Sequence, residues 1–185
     1  MRLVVAVTGA SGAPLALRLL QNLSDHEVHL IISKNAWHVI KHELGEEVTF
    51  PCSFSYQDDD FSSPLASSSF LFDAMVVIPC SMKTLSAIAH GYADNLITRA
   101  AENALKLGKP LVLVPRETPL SLVDIENMKK AKEAGAIILP AMVAYYHKPR
   151  TVDEMTDFIV GKVLDVLGIE HKLYARWGEI KPLPS

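Results

Sequence analysis

Residues 3–13 read Leu3-Val4-Val5-Ala6-Val7-Thr8-Gly9-Ala10-Ser11-Gly12-Ala13, an apolar run followed directly by a glycine turn. A continuous apolar run of this length is typical of a strand buried on both faces of a parallel sheet. Gly9 and Gly12 allow the chain to turn tightly, and the N–H groups at the start of the next helix can hold a phosphate. The spacing differs from the G-x-G-x-x-G pattern of dinucleotide-binding turns. The sequence therefore predicts a strand, a ligand-binding turn and a helix, with a turn that binds no ligand as the alternative.

The alternation of apolar strands with amphipathic helices continues along the chain. The predicted strands are residues 3–7, 28–32, 74–78, 111–114 and 136–139. The predicted helices are residues 13–23, 36–44, 82–90, 96–107, 121–134 and 152–167. The segment 51–69 is rich in Ser, Asp and Pro and has no clear period, so it is predicted to be a loop. Together the elements predict a single Rossmann-like or flavodoxin-like α/β domain, a parallel sheet with helices on both faces, whose ligands bind at the carboxyl ends of the strands.

The composition limits the kinds of partner that the chain can have. It contains 185 residues with a formal net charge of −3 and no block of Lys or Arg, so nucleic acids and anionic membranes are poor partners. Cys52 and Cys80 lack metal-binding or redox spacing, and two such thiols indicate a cytoplasmic protein and not a secreted disulfide framework. His38 and His42 share a helix face without an evident third ligand, so no metal site is predicted.

Three more predicted strands end in residues that can contact a ligand. Ser33-Lys34 ends the second strand where a dinucleotide-binding fold carries an acidic residue, which favours a ligand with a phosphate over one with a ribose diol. The third strand ends in Pro79-Cys80-Ser81-Met82-Lys83-Thr84, whose Ser81 and Thr84 either contact the ligand or only cap the next helix. The fourth ends in Val114-Pro115-Arg116-Glu117-Thr118-Pro119, where the flanking prolines stiffen the chain at Arg116 and Glu117. These two residues are either a cation and a proton donor of a binding site or a solvated ion pair.

Seven motifs, in the same order along nearly the whole chain, resemble those of the flavin prenyltransferase family. Each motif is short, but their common order makes the resemblance far more specific than any one of them. Older names for the family are phenylacrylic acid decarboxylase and 3-octaprenyl-4-hydroxybenzoate decarboxylase. The motifs are Thr8–Ala13, Ile78–Leu85, Asp94–Ala101, Leu111–Leu120, Glu126–Met128, Tyr146–Pro149 and Ala175–Glu179.

The resemblance implies an enzyme that joins a dimethylallyl group from dimethylallyl monophosphate to N5 and C6 of reduced FMN. The product, prenylated FMN, serves a UbiD-type decarboxylase in such a system. The resemblance also implies a homo-oligomer, a dodecamer, with the site between subunits. Residues 1–185 then form one flavin-binding domain, and residues 152–185 complete its site.

The resemblance also implies roles for individual residues. The catalytic residues are Ser11, Glu43 and Glu117. The residues that bind FMN are Gly9, Ala10, Ser11, Ser33, Ser81, Met82, Lys83, Thr84 and Arg116. The residues that bind the prenyl phosphate are Arg99, Lys106, Tyr146 and Lys162, and Trp177 is a lid. Arg99 and Lys106 lie seven residues apart on one predicted helix and share a face, which the residues alone explain equally well as a solvated stripe.

Two departures from the family pattern and two rival functions qualify this interpretation. Many relatives carry Arg where Lys162 stands, and Lys keeps the charge but loses the bidentate fork. Relatives usually have Ser-Gly-Ser-Phe where this chain has Ser67-Ser68-Ser69-Phe70.

The nearest rival function is that of a flavin-dependent cysteine decarboxylase, whose Pro-Ala-Ser-Ala-Asn-Thr turn and catalytic histidine are not matched here. The other is a flavin carrier without activity.

Overall fold

Six strands form one parallel sheet in the computed structural model, which describes residues 1–179 of the chain. The strands are β1 (Arg2–Val7), β2 (Glu27–Ile32), β3 (Phe54–Gln57), β4 (Ala74–Cys80), β5 (Leu111–Pro115) and β6 (Ile137–Ile138). Their order across the sheet is β3-β2-β1-β4-β5-β6, and each neighbouring pair is parallel. This is the strand order of the Rossmann fold, so the predicted α/β class is confirmed.

Six α-helices cover the two faces of this sheet within residues 1–179. They are α1 (Ala13–Gln21), α2 (Ala36–Leu44), α3 (Met82–Ala89), α4 (Leu96–Lys106), α5 (Leu122–Glu133) and α6 (Val152–Leu167). None of these helices is long and apolar enough to cross a membrane. Successive residues of a strand point to opposite faces. Leu3, Val5 and Val7 accordingly pack with α1, α2 and α6, whereas Val4 and Ala6 pack with α3, α4 and α5.

The segment 51–69 is not the plain loop that its composition predicts. It contains β3, which pairs with β2, and a 3₁₀ helix over Pro64–Ala66. The prediction was wrong because β3 lies at the edge of the sheet and exposes three of its four residues, so it lacks the apolar run of the central strands. Lys148 is the one non-glycine residue with positive φ in the described chain. Ser68, which replaces a glycine of the family pattern, therefore occupies an ordinary backbone conformation.

Candidate functional site

The carboxyl ends of β1, β2, β4 and β5 bring the predicted turn residues to one edge of the sheet. The Ser33 N–H donates to the carbonyl oxygen of Val7 at 3.0 Å, which places Ser33 beside the first glycine turn, residues 8–12. From the other side, Nε of Arg116 donates to the carbonyl oxygen of Ser11 at 3.2 Å. The first turn and the Arg116 turn therefore meet, although they are separated by about a hundred residues of sequence.

Thr8 joins the first glycine turn to the turn that follows β4. Its side chain is buried, its hydroxyl donates to the carbonyl oxygen of Pro79 at 2.7 Å, and the same hydroxyl accepts from the Ser81 N–H at 2.7 Å. A buried hydroxyl with both a donor and an acceptor partner stabilises the contact only while both partners remain. No role was predicted for Thr8, although a polar residue directly after a buried strand was a signal for one.

Replacing Thr8 with valine should lower the free energy of unfolding by about 1–3 kcal/mol, because the part-buried Ser81 N–H loses its acceptor. Urea unfolding at a fixed protein concentration measures this loss. The control is Thr49→Val, at an exposed threonine, for which a change within about 0.5 kcal/mol is expected. Equal stabilities of the two variants would show that the Thr8 hydroxyl does not hold the turns together.

The Ser81–Thr84 turn uses its hydroxyl groups mainly to cap a helix. Oγ of Ser81 accepts from the Thr84 N–H at 3.3 Å and donates to Oγ1 of Thr84 at 3.1 Å. The structure therefore shows the helix capping that was one of the two alternatives for Ser81 and Thr84. Nζ of Lys83 lies 3.5 Å from a carboxylate oxygen of Asp94 and is well exposed, and Met82 is partly buried against the α3–α5 core.

Glu43 occupies the start of α1. Its carboxylate accepts from the Gly12 N–H at 2.9 Å and from the Ala13 N–H at 2.8 Å. The first turn was expected to offer these N–H groups to a phosphate, but in the structure they bind this carboxylate. A negative charge at a helix N-terminus is favourable, which explains the contact. The contact also brings Glu43, at the end of α2, next to Ser11.

Arg116 and Glu117 lie next to each other but do not form the ion pair that was an alternative for them. The Glu117 carboxylate accepts from the Thr118 N–H at 3.0 Å, and no ion pair joins it to Arg116 in the described structure. Both residues line a cleft of about 110 Å³ together with Met128, Pro140 and Met142. That volume is well below the roughly 300–1,000 Å³ of ordinary ligand pockets. The cleft beside Arg116 and Glu117 is therefore small for a ligand of the size of a flavin.

Arg99 and Lys106 do share a face of α4, as their spacing predicts, but Lys106 lies far from Arg116. Both pair with Glu102, at 2.7 Å and 2.6 Å, and Nε of Arg99 also donates to the carbonyl oxygen of Ala66 at 2.9 Å. Lys106 ends α4 just before β5 begins, whereas Arg116 follows the end of β5. A five-residue strand spans about 16 Å, so within one chain Lys106 and Arg116 lie at opposite edges of the sheet.

The remaining predicted residues gather around α6 and the segment before it. The ring of Tyr146 contacts the ring of Trp177 edge-on at 5.3 Å, and Trp177 is three-quarters exposed. Nζ of Lys162 donates to the Tyr174 hydroxyl at 3.2 Å. This hydrogen bond, with a smaller contribution from the nearby Asp165 carboxylate, raises the pKa of Lys162 above its usual value. Lys162 is therefore a fixed cation near neutral pH.

Lys162 lines a second cleft, of about 390 Å³, which shares Pro140 and Met142 with the cleft of Arg116 and Glu117. The segment between β6 and α6 thus contributes to the lining of both clefts. Within residues 1–179 no group of three or more His, Cys, Asp or Glu side chains is placed to hold a metal ion.

Comparison with known proteins identifies relatives over nearly the full chain. The family model described as Flavoprotein matches residues 1–164. The curated flavin prenyltransferase UbiX of Methanocaldococcus jannaschii is 50% identical over 184 residues, which cover 97% of this chain and 100% of that protein.

Two solved structures are also very similar. A dodecameric FMN-dependent UbiX-like decarboxylase from Escherichia coli O157:H7 is 45% identical with a TM-score of 0.92, covering 96% of this chain and 99% of its own. AnUbiX (PadA1), solved in complex with FMN and dimethylallyl pyrophosphate, is 40% identical with a TM-score of 0.92, covering 95% of this chain and 96% of its own.

Proposed function

This chain belongs to the flavin prenyltransferase family, and from that premise we propose how its residues divide the work of prenyl transfer to FMN. It is a flavoprotein and a prenyltransferase whose substrate flavin is FMN. The observation that carries the assignment of the site is the contact between Arg116 and the Ser11 carbonyl oxygen. It brings the glycine turn and the charged turn of this chain together, which supports the binding of a flavin and a leaving phosphate at this point.

The donors at this edge fit a ligand with a phosphate. Oγ of Ser33 accepts from the Ala36 N–H at 3.2 Å, which leaves its O–H free to donate. The two terminal nitrogens of Arg116 have no acceptor among residues 1–179, so they can bind an anion in a bidentate manner. Reduced FMN, when bound, supplies the nucleophilic N5 and C6 positions that accept the dimethylallyl group. The residues that we assign to FMN are Gly9, Ala10, Ser11, Ser33, Ser81, Met82, Lys83, Thr84 and Arg116.

Three residues carry the proton chemistry in this proposal. Glu117 donates a proton to the phosphate oxygen as the bond from that oxygen to the dimethylallyl carbon breaks. A donor aimed at the charge that develops on a leaving group lowers the barrier because that charge is stabilised in the transition state. Glu43 and Ser11 move a proton at the first turn, and the hydrogen bonds from Gly12 and Ala13 to Glu43 support that position.

The prenyl phosphate is bound by Tyr146 and Lys162 of one subunit and by Arg99 and Lys106 of a neighbouring subunit. The position of Lys106, at the far edge of the sheet from Arg116, supports this division. We therefore infer a homo-oligomer, as in the dodecameric relative. Trp177 is the lid of the site in this proposal, and its edge-on contact with Tyr146 supports that role. Residues 152–179 thus complete the site, and residues 180–185 of the proposed tail lie outside the described residues.

The prenyl donor, the protein that receives the product and the cellular location are inferred from the same family membership. The donor is dimethylallyl monophosphate, and the prenylated FMN passes to a UbiD-type decarboxylase. Cys52 and Cys80 are both free thiols, which supports a cytoplasmic location. The two rival functions, cysteine decarboxylation and flavin storage, make different predictions for the same assay.

The purified protein should contain FMN that can be extracted from it. After incubation with reduced FMN and dimethylallyl monophosphate, the flavin should gain one C5H8 unit, and phosphate should be released. Mass spectrometry of the extracted flavin measures both outcomes. Decarboxylation of a cysteinyl peptide without prenyl transfer would instead identify the cysteine decarboxylase, and FMN recovered unchanged from every mixture would identify the carrier. Dimethylallyl diphosphate, tested in parallel, distinguishes the two donors.

A further inference from the structure

We propose that Asp165 is a positioning residue: it fixes Lys162 through Tyr174 and holds the C-terminal segment, residues 169–176, against α6. This inference rests on the assignment of Lys162 to the prenyl phosphate. Asp165 lies on α6 one turn after Lys162, and that helix ends at Gly168, whose φ of 71° reverses the chain. The reversal returns the C-terminal segment over the face of the helix that carries both residues.

The carboxylate of Asp165 is the centre of a network of five residues. Oδ1 accepts from Nη2 of Arg176 at 2.7 Å and from Nε2 of His171 at 3.1 Å. Oδ2 accepts from the Tyr174 hydroxyl at 2.5 Å, and Nζ of Lys162 lies 3.6 Å from the same oxygen. Both oxygens are therefore used, and three of the four partners belong to the C-terminal segment. Burial alone would raise the pKa of Asp165, but the bonds from Arg176, Tyr174 and His171 outweigh it and hold that pKa well below its usual range.

The backbone of the C-terminal segment orients the ring of His171. The Leu173 N–H donates to Nδ1 of His171 at 3.2 Å, so Nδ1 is the unprotonated nitrogen of the ring. The proton then lies on Nε2, which faces Asp165. The side chain of His171 is almost fully buried, and both of its ring nitrogens have hydrogen-bond partners that orient it.

Tyr174 connects Asp165 to Lys162 through its hydroxyl group. Its hydroxyl donates to Asp165 and at the same time accepts from Nζ of Lys162 at 3.2 Å. The long, flexible lysine side chain would otherwise sample many rotamers, and it lacks the rigid fork by which arginine binds phosphate. Nζ remains 3.6 Å from Asp165 and about half of the side chain is exposed, so the ammonium keeps donors for a phosphate.

Gly161 permits the close packing that this network requires. A Cβ atom at that position would lie 2.6 Å from ring carbons of Tyr174 and 2.7 Å from Cε1 of His171. The two rings therefore lie directly on the backbone of α6, one residue before Lys162. The absence of a side chain at Gly161 thus allows Tyr174 and His171 to reach Asp165.

The first test compares Asp165→Asn with Asp157→Asn. The control lies on the same helix, and its carboxylate pairs with Arg18 of α1 at 2.5 Å, outside the network. We expect Asp165→Asn to raise the KM for dimethylallyl monophosphate about tenfold, with kcat and FMN affinity changed less than about twofold. Tyr174→Phe keeps the ring and removes the hydroxyl, and it should raise the same KM by about two- to tenfold. A KM for both variants equal to that of Asp157→Asn overturns the proposal.

A double-mutant cycle separates action through Lys162 from a general structural effect. If Asp165 acts through Lys162, then Asp165→Asn should change KM by less than about twofold in a Lys162→Ala background. Additive effects of the two substitutions overturn the proposal. If Lys162→Ala alone leaves KM unchanged, the assignment of the phosphate to Lys162 is wrong. Whether Asp165 holds the C-terminal segment is then decided by a measurement that needs no substrate.

That measurement is limited trypsin digestion of the native oligomer, followed by mass spectrometry of cleavage after Lys172 and Arg176. Loosening the C-terminal segment should make this cleavage about tenfold faster in Asp165→Asn than in Asp157→Asn, because the population of the open form controls the rate. Equal rates in the two variants overturn the holding role, whatever the kinetic result.

Discussion

Replacing Glu117 with glutamine should lower the rate of prenyl transfer by at least about a hundredfold, while FMN and the prenyl phosphate still bind. Glutamine keeps the size of the side chain and its hydrogen bonds, but it cannot donate a carboxylic proton. Proton transfer by a positioned group contributes about 10²–10⁴-fold to a rate. In the structure the Glu117 carboxylate accepts only the N–H of Thr118 among residues 1–179, and it forms no ion pair there with Arg116. It is therefore free to meet a substrate.

Single-turnover mixing with reduced FMN and dimethylallyl monophosphate measures this rate directly. Glu133→Gln is the matched control, since Glu133 is an exposed glutamate paired with Lys129 at the end of α5. That variant should transfer the prenyl group at the parent rate. A solvated ion pair between Arg116 and Glu117 would predict a loss below about 1 kcal/mol and nearly normal turnover for Glu117→Gln. Such a result would make Glu117 structural, and Glu43 at the start of α1 would be the next candidate acid.

Replacing Lys162 with alanine should raise the KM for the prenyl phosphate roughly ten- to hundredfold and leave FMN affinity nearly unchanged. A hydrogen bond to a charged group contributes about 1.5–3 kcal/mol, which corresponds to that range. Lys162 suits this role because its hydrogen bond to Tyr174 favours the charged form and orients it. Steady-state kinetics with varied dimethylallyl monophosphate, together with a flavin-binding titration, measures the two effects separately.

Two further variants sharpen the test of Lys162. Lys162→Arg should keep most of the affinity for phosphate, because a guanidinium carries the same charge and adds a bidentate geometry. Lys132→Ala, at an exposed lysine of α5, should leave KM unchanged. If Lys162→Ala weakened FMN binding as much as it weakened binding of the prenyl phosphate, Lys162 would belong to the flavin and not to the phosphate.

The sequence was sufficient for the elements whose pattern is local. Ala36–Leu44 and Val152–Leu167 have the same bounds in the structure as in the prediction, because each combines an amphipathic face with clear ends. The buried strands were equally clear, because a parallel strand covered on both faces is a continuous apolar run. The edge strand Phe54–Gln57 was missed because pairing on one side and exposure on the other leave no such run.

The meeting of the predicted turns at one edge of the sheet was predictable, but the contacts between their residues were not. The end of each strand located Ser33, Ser81 and Arg116, because parallel strands end at a common edge. The network of Asp165 was not predictable, since its partners become neighbours only after Gly168 reverses the chain. The spacing of Arg99 and Lys106 correctly placed them on one helical face. The edge of the sheet that this face approaches depends on topology, which spacing does not encode.

The carboxylate of Glu43 at the start of α1 has a consequence for the way a flavin lies in this fold. Helix N-termini in related folds commonly receive the phosphate of a nucleotide, because the helix dipole attracts an anion. Here the protein supplies that anion itself, through hydrogen bonds of 2.9 Å and 2.8 Å from Gly12 and Ala13. A second negative group at the same terminus would be repelled. We therefore infer that the first turn does not hold the phosphate of the flavin, which other donors at this edge of the sheet bind. The carboxylate of Glu43 would then determine the orientation in which the flavin binds.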